Sequence, residues 1–330
     1  MMSLIPFGWL KKNISFPINI QSKSIAKKLT ELGLETEINK EICHFTPLPN
    51  RLDLLTWWGI AQEISILLNY PLTLSFNDQS LENEKDDQIK VISETNKCSQ
   101  IQLVLINNIK IQPSQQWIKD YLKSNNINSI NNVVDLANLV MLETGQPLHI
   151  HDYDKIVNPK EITVRQAVNG EKILTLSDQE IALTSEDTVV SSGKETIGLG
   201  GIIGCQKTSV NEKTTRLLVE LLSLDNKSIK STSGRLGIIT QASQYFSKKI
   251  NLPFGKFSLW RLIELIKEIG QIQGEIRPII WTAKKPTKSR IISINHEFIE
   301  KKLGIKLSSQ KVENLLRRLN FSYQKKINAT

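Results

Sequence analysis

Apolar positions recur at helical spacing in several stretches of the chain. In "SKSIAKKLTELGL", residues 22–34, Ile25, Leu29 and Leu32 share one face, with Ser22 or Ser24 as the cap and Gly33 as the stop. "TWWGIAQEISILL" brings Trp57, Ile60, Ala61, Ile64, Leu67 and Leu68 together, and these two helices are expected to pack as one small unit. "PSQQWIKDYLKS" opens on Pro113 and groups Trp117, Ile118, Tyr121 and Leu122, while "WRLIELIKEIG" is a helix ended by Gly270. "NHEFIEKKLGI" and "SSQKVENLLRRL" read as two capped amphipathic helices, the second with Val312, Leu315, Leu316 and Leu319 in line. Strand patterns lie between them. "IQLVLINNIKI" alternates, and "EITVRQAVNGEKILTLSDQEIALTSEDTVVSS" breaks short β-branched runs with "NG" and "SDQE", as hairpins do.

The order of these patterns predicts an α+β, multidomain chain without internal repeats. Its 330 residues exceed what one core ordinarily serves. The clearest shift in composition is "DQSLENEKDDQIKVISETNK", which sets a linker at 78–97 between an amino-terminal helical module, 1–77, and a larger mixed domain, 98–285. Residues 286–330 read as the start of a small helical domain, ending at "NFSYQKKINAT" before a third element completes a core.

Composition changes this picture little. Hydrophobic residues at 40% and charged residues at 23% suit a water-soluble globular protein. Apolar runs such as "ISILL" and "LVLI" fall far short of the roughly 20 residues of a membrane span, and "MMSLIPFGWLKKNISFP" lacks a signal peptide's layout. An intracellular protein is expected. Cys43, Cys98 and Cys205 are too few and too widely spaced for a disulfide framework or a zinc knuckle, so reduced, structural thiols are expected. Forty-two Lys and Arg against 33 acids give +9, a balance that favours a polyanion such as RNA. The abundance of lysine, asparagine and isoleucine is equally what an AT-rich genome imposes.

Three segments carry candidate chemistry. "SINNVVDLANLVMLETGQPLHIHDYDKI", residues 129–156, holds His149 and His151 two positions apart, on one face of a strand or on diverging faces of a helix. A metal site, a pocket wall and an ordinary helix entering a turn all fit, although no zinc pattern completes the first. "GLGGIIGC", 198–205, lacks the Gly-Lys-Ser ending of a phosphate loop and the spacing of a dinucleotide loop. It suits a glycine turn lining a pocket, or close backbone packing. Glu220 stands alone among Leu217, Leu218, Val219, Leu221 and Leu222, either on a strand's exposed face or buried with a partner.

"INNVVDLANLVMLETGQPLHIHDYDKI" closely resembles the editing domain of β subunits of bacterial-type phenylalanine tRNA ligases. Further segments resemble other parts of that family in the right order: "WLKKNISFP", "AKKLTELGLETE", "LPNRLDLLTWWGIAQEISILL", "IGLGGIIG", "TTRLLVE", "SIKSTSGRLGIITQAS" and "LGIKLSSQKVENLLRRLNF". Nearly the whole chain is covered. Two departures stand out. Only thirteen residues separate Glu35 from Pro49, Asn50 and Arg51, where the family usually inserts an oligonucleotide-binding barrel. The family's proline-serine-tryptophan-arginine segment, magnesium-associated acidic cluster, catalytic-like core and anticodon-binding domain have no counterpart here, so an amino-terminal part of the subunit is expected.

The resemblance implies a mixed α/β editing domain, followed by the start of a winged-helix-like domain. It implies a β subunit that pairs with an α subunit in an α2β2 assembly, binds tRNA(Phe) and hydrolyses tyrosine wrongly attached to it. ATP and Mg2+ would serve the holoenzyme, with neither bound by this chain, which alone is not expected to aminoacylate. The bacterial cytoplasm, or the stroma of a plastid, is the compartment it suggests. Asn138, His149, Gly201, Gly204, Glu220, Thr240 and Ala242 fall on the family's editing-pocket motifs. Glu220 would accept the tyrosine hydroxyl's hydrogen bond, His149 and Asn138 would orient substrate or water, and Ala242 would limit ring space. Ala137, Cys205, Leu221, Leu222 and Gly234 replace residues usual in the family, and the leucines or a cysteine-stiffened turn would leave a degenerate site. A noncatalytic RNA-binding scaffold and a free-standing trans-editing hydrolase are the alternatives.

Overall fold

The computed structural model describes residues 3–73, 89–158, 160–248, 255–269, 276–282, 291–319 and 321–324. Its amino-terminal part runs β1 (Ser3–Pro6), α1 (Phe7–Asn13), α2 (Ser22–Glu31), β2 (Thr36–Asn39), β3 (Ile42–Phe45) and α3 (Trp57–Leu68). The module is therefore not purely helical, because β1, β3 and β2 form an antiparallel three-stranded sheet. Its hairpin turns on Lys40 and Glu41, both at positive φ, in a two-residue loop without the Asn-Gly signature that marks such turns. Helix α2 stops at Gly33, at φ +93°, as its pattern predicts. Neither serine caps it: Gln21 is the N-cap residue, and the Ser22 hydroxyl donates to Glu41 at 2.8 Å. Leu32 lies outside the helix and exposed, and Leu34 is buried in its place.

The larger part continues with β4 (Lys90–Ser93), β5 (Cys98–Ile106), α4 (Gln116–Ser124), α5 (Asn132–Thr144), β6 (His149–Asp152), β7 (Glu161–Gln166), β8 (Lys172–Leu174) and β9 (Glu180–Ala182). Then come β10 (Thr188–Ser192), β11 (Glu195–Leu199), β12 (Ile203–Gly204), β13 (Leu217–Leu224), α6 (Asn226–Leu236), α7 (Gln241–Ser247), α8 (Gly255–Glu268) and β14 (Ile276–Thr282). Four strands form one sheet in the order β14-β5-β13-β6, and five form another in the order β12-β11-β10-β7-β4. The end of the expected linker is thus a strand. Residues 90–93 pair in parallel with β7, a four-residue match too short for hydrophobic patterning to register, and the linker's 78–88 lie outside the described residues. Gly270 does as well.

Strand β13 is buried on both faces, which is why it reads as a near-continuous apolar run. Leu217, Val219 and Leu221 join a core with α5 and α8; Leu218 and Leu222 pack with Ile162, Val164, Val190 and Ile197 of the five-stranded sheet. The first core also takes in Ile5, Trp9, Leu29, Phe45, Trp57 and Ile64, so the amino-terminal module has no core of its own. A buried tripod ties the parts together. Trp9 Nε1 donates to Glu143 at 2.7 Å, and Arg261 meets the same carboxylate through Nε at 2.7 Å and a second nitrogen at 3.0 Å. Two capped helices, α9 (His296–Leu303) and α10 (Ser309–Arg318), follow at the carboxyl end and bury none of their residues.

Candidate functional site

Glu220 shares the β13 face of Leu218 and Leu222 and is buried at 7% exposure, so the buried alternative holds. Register places it directly across from His149 on β6, with His151 across from Leu218. Because β6 is a strand, both imidazoles emerge on that one face, 4.4 Å apart and edge to face. His151 Nδ1 lies 2.9 Å from the Thr208 hydroxyl, and its Nε2 lies 3.4 Å from Glu220 Oε2.

The glycine run between β11 and β12 closes round this pair. Gly201, at φ +69°, adopts a left-handed conformation, and a Cβ there would press on Leu224, Ile229 and Phe246 at 2.9–3.0 Å. A Cβ on Gly204 would come within 2.3 Å of the His149 ring, so this glycine makes room for the imidazole. The result is a cleft with about 440 Å³ of empty space, the solvent at its mouth included, walled by Pro147, Leu148, His149, Gly198–Gly204, Glu220, Leu222, Ala242 and Phe246. Glu220 and His149 give its lining one carboxyl group and one imidazole.

Burial governs the electrostatics. It raises Glu220 to about 7, with His149 pulling the other way, so the carboxyl is divided between neutral and charged forms at neutral pH. His151 is lowered by burial to about 3 and stays neutral. His149 is lowered by burial, then by His151, against the opposing pull of Glu220. A neutral imidazole beside a carboxyl of tunable charge can accept and donate hydrogen bonds to a hydroxyl group lodged between them. Among the described residues, no group of three or more His, Cys, Asp or Glu side chains stands together as a metal would need.

Of the seven residues expected at the site, His149, Gly201, Gly204, Glu220 and Ala242 line the cleft. Asn138 and Thr240 do not. Asn138 sits half-buried on α5, which packs behind the sheet. Thr240 caps α7, accepting from the Ser243 amide, and donates to the Ile202 carbonyl at 2.7 Å, so it braces the glycine turn. Among the substituted positions only Leu222 reaches the cleft. Ala137 and Leu221 belong to the core behind the sheet. Cys205 is buried in a third cluster at φ −87°, ψ 145°, ordinary extended backbone that needs no glycine. Gly234 fronts open space. All three cysteines are free and buried, each thiol raised by burial to about 12. Reading the sequence missed His151, Thr208 and Phe246 as part of the site; only the two-residue spacing of the histidines pointed to the first.

The family model for the B3/4 domain matches residues 97–271, more than half of the chain. The chain belongs to the B3/4 domain family. The B3/4 region holds every residue of the cleft, together with β5, β6 and β13 that position them. Among curated relatives, the phenylalanine–tRNA ligase beta subunit of Carboxydothermus hydrogenoformans is 33% identical over 287 residues, covering 86% of this chain and 36% of its own length. The subunit of the same name from Streptococcus pneumoniae is 32% identical over 288 residues, with the same coverages. That from Staphylococcus haemolyticus is 33% identical over 287 residues, again with 86% and 36% covered. The chain thus spans about a third of the length of these relatives. A crystal structure of an N-terminal fragment of the phenylalanyl-tRNA synthetase beta subunit from Pyrococcus horikoshii aligns at a TM-score of 0.45 and 14% identity, over 97% of this chain and 89% of that one.

Proposed function

We propose that this chain serves as part of a phenylalanine tRNA ligase β subunit, and that its cleft hydrolyses tyrosine wrongly attached to tRNA(Phe). The observation that carries the reading is the meeting of His149 with Glu220 beside the Gly201–Gly204 turn, brought together from distant segments by the β6–β13 register. An activation site for phenylalanine rejects an added hydroxyl poorly, whereas a site that bonds that hydroxyl rejects phenylalanine strongly. Glu220 is the group that accepts from a tyrosine hydroxyl, His149 orients the ester or the attacking water, and Ala242 and Phe246 flank the ring. An α subunit in an α2β2 assembly is the partner this reading requires. ATP and Mg2+ serve ligation in the holoenzyme, and no residue of this chain is assigned to them.

The test is hydrolysis of preformed tyrosyl-tRNA(Phe), with phenylalanyl-tRNA(Phe) as the comparison. A hydrogen bond from the hydroxyl to a charged carboxylate is worth about 1.5–3 kcal/mol, so Glu220→Gln should cut discrimination by about 10- to 100-fold. Hydrolysis no faster than in that variant would favour the second reading, a noncatalytic RNA-binding scaffold with a degenerate site. The placement of Asn138 outside the cleft, with Leu222 in its wall, is what speaks for that alternative.

A further inference from the structure

His151 is not among the residues that wall the cleft, yet it is completely buried and touches Glu220 from behind. Both of its ring nitrogens face a polar atom. Nδ1 meets the Thr208 hydroxyl at 2.9 Å, and Nε2 meets Glu220 Oε2 at 3.4 Å, the long end of hydrogen-bond range. A hydroxyl donates or accepts with equal ease, and a neutral imidazole carries its proton on either nitrogen. The three groups therefore have two complete arrangements. With Glu220 charged, Thr208 donates to Nδ1 and Nε2–H donates to the carboxylate. With Glu220 neutral, its O–H donates to Nε2, and Nδ1–H donates to Thr208. Passing from one to the other keeps both contacts hydrogen-bonded, with the Thr208 hydroxyl turning from donor to acceptor, and puts no charge on the imidazole.

We propose that His151 and Thr208 are positioning residues that aim Glu220 into the cleft and let the carboxyl gain or lose its proton while staying hydrogen-bonded. The inference deepens the reading given above and takes its ligand, a hydroxyl-bearing side chain, from it. Ligand binding favours the charged form, because a carboxylate accepts the ligand's hydrogen bond more strongly than a neutral carboxyl does. The switchable chain behind Glu220 makes that change available without moving the strand. The ionisable groups acting on Glu220 are few. His149 and His151 approach from β6 and Cys98 from β5, while the remaining walls of the cleft, from the glycine turn and from α7, contribute no ionisable side chain.

The experiment follows the Glu220 carboxyl directly, by 13C NMR titration of the whole chain with Glu220→Gln as the assignment control. In His151→Phe, which keeps the ring and removes both nitrogens, the titration midpoint should rise by at least about one pH unit, since the charged form loses its donor. His151→Gln, whose amide either donates or accepts, should return a substantial part of that rise. Thr208→Val leaves both strands untouched and should shift the midpoint in the same direction; it decides the matter if His151→Phe does not fold. A midpoint unmoved in Thr208→Val and in whichever His151 variants fold overturns the proposal. Tyrosyl-tRNA hydrolysis is assayed separately: its absence in the parent chain defeats the functional reading, whereas the carboxyl titration alone judges His151 and Thr208.

Discussion

Ionising Glu220 is harder in the folded chain than in the unfolded one, because burial raises its pKa from 4.5 to about 7. Between those values the folded state binds more protons, so this group's contribution to stability falls as pH rises through the window and levels off above it. At about 1.4 kcal/mol per pH unit the loss is on the order of 3 kcal/mol. Glu220→Gln removes it. The variant should gain on the parent between pH 4.5 and pH 8 in denaturant midpoints, and a constant offset across that range would contradict the burial argument. Gly204 makes the second residue-scale test. Gly204→Ala drives a Cβ into the His149 ring, so it should lower stability by about 1–3 kcal/mol and, under the proposed function, abolish tyrosyl-tRNA hydrolysis by pushing the imidazole out of place. Glu220 and the glycine run were visible in the sequence as oddities: a lone acid in a leucine strand, and four glycines in seven residues. That they face each other was not, since pairing register is a property of distant segments and leaves no local periodicity. The resemblance to a known family set Asn138 and Thr240, with Glu220, on editing-pocket motifs, and neither of the two lines the cleft.

At the scale of elements, the buried Glu143–Arg261 pair joins α5 to α8, with Trp9 donating to the same carboxylate from α1. Arg261→Met leaves Glu143 buried and charged, and the expected cost is about 3–5 kcal/mol by chemical denaturation. Adding Glu143→Leu should recover most of it, because the apolar pair no longer has a charge to desolvate. A double variant as unstable as the single one would mean that the pair itself, and not the stranded charge, sets the cost. The elements legible from sequence are those with room for their period. Helix α3 falls where its spacing puts it, and strand β5 takes up 101–106 of the run read as a strand over 101–111. Strands β2, β3 and β4, of four residues each, escaped because so short a run gives periodicity nothing to repeat. The cap of α2 escaped for a different reason: Ser22 bonds Glu41 across a hairpin that the local sequence does not announce.

At the scale of the whole molecule, a net charge of +9 should draw tRNA electrostatically. Binding is therefore expected to be weak and to fall about tenfold or more between about 50 and 200 mM salt, as read by filter binding or fluorescence anisotropy. Affinity that persists at high salt would point to a specific RNA surface instead. The core shared between the amino-terminal module and the sheet of β5 and β13 also has a temporal side. A ribosome making the chain delivers Trp58 long before Phe257, whose ring packs against it at 5.2 Å between centroids. At roughly 5–20 residues per second the wait is on the order of 10–40 s. For that interval the nascent segment carries an uncovered apolar face, and it is a natural client for a chaperone stationed at the exit tunnel.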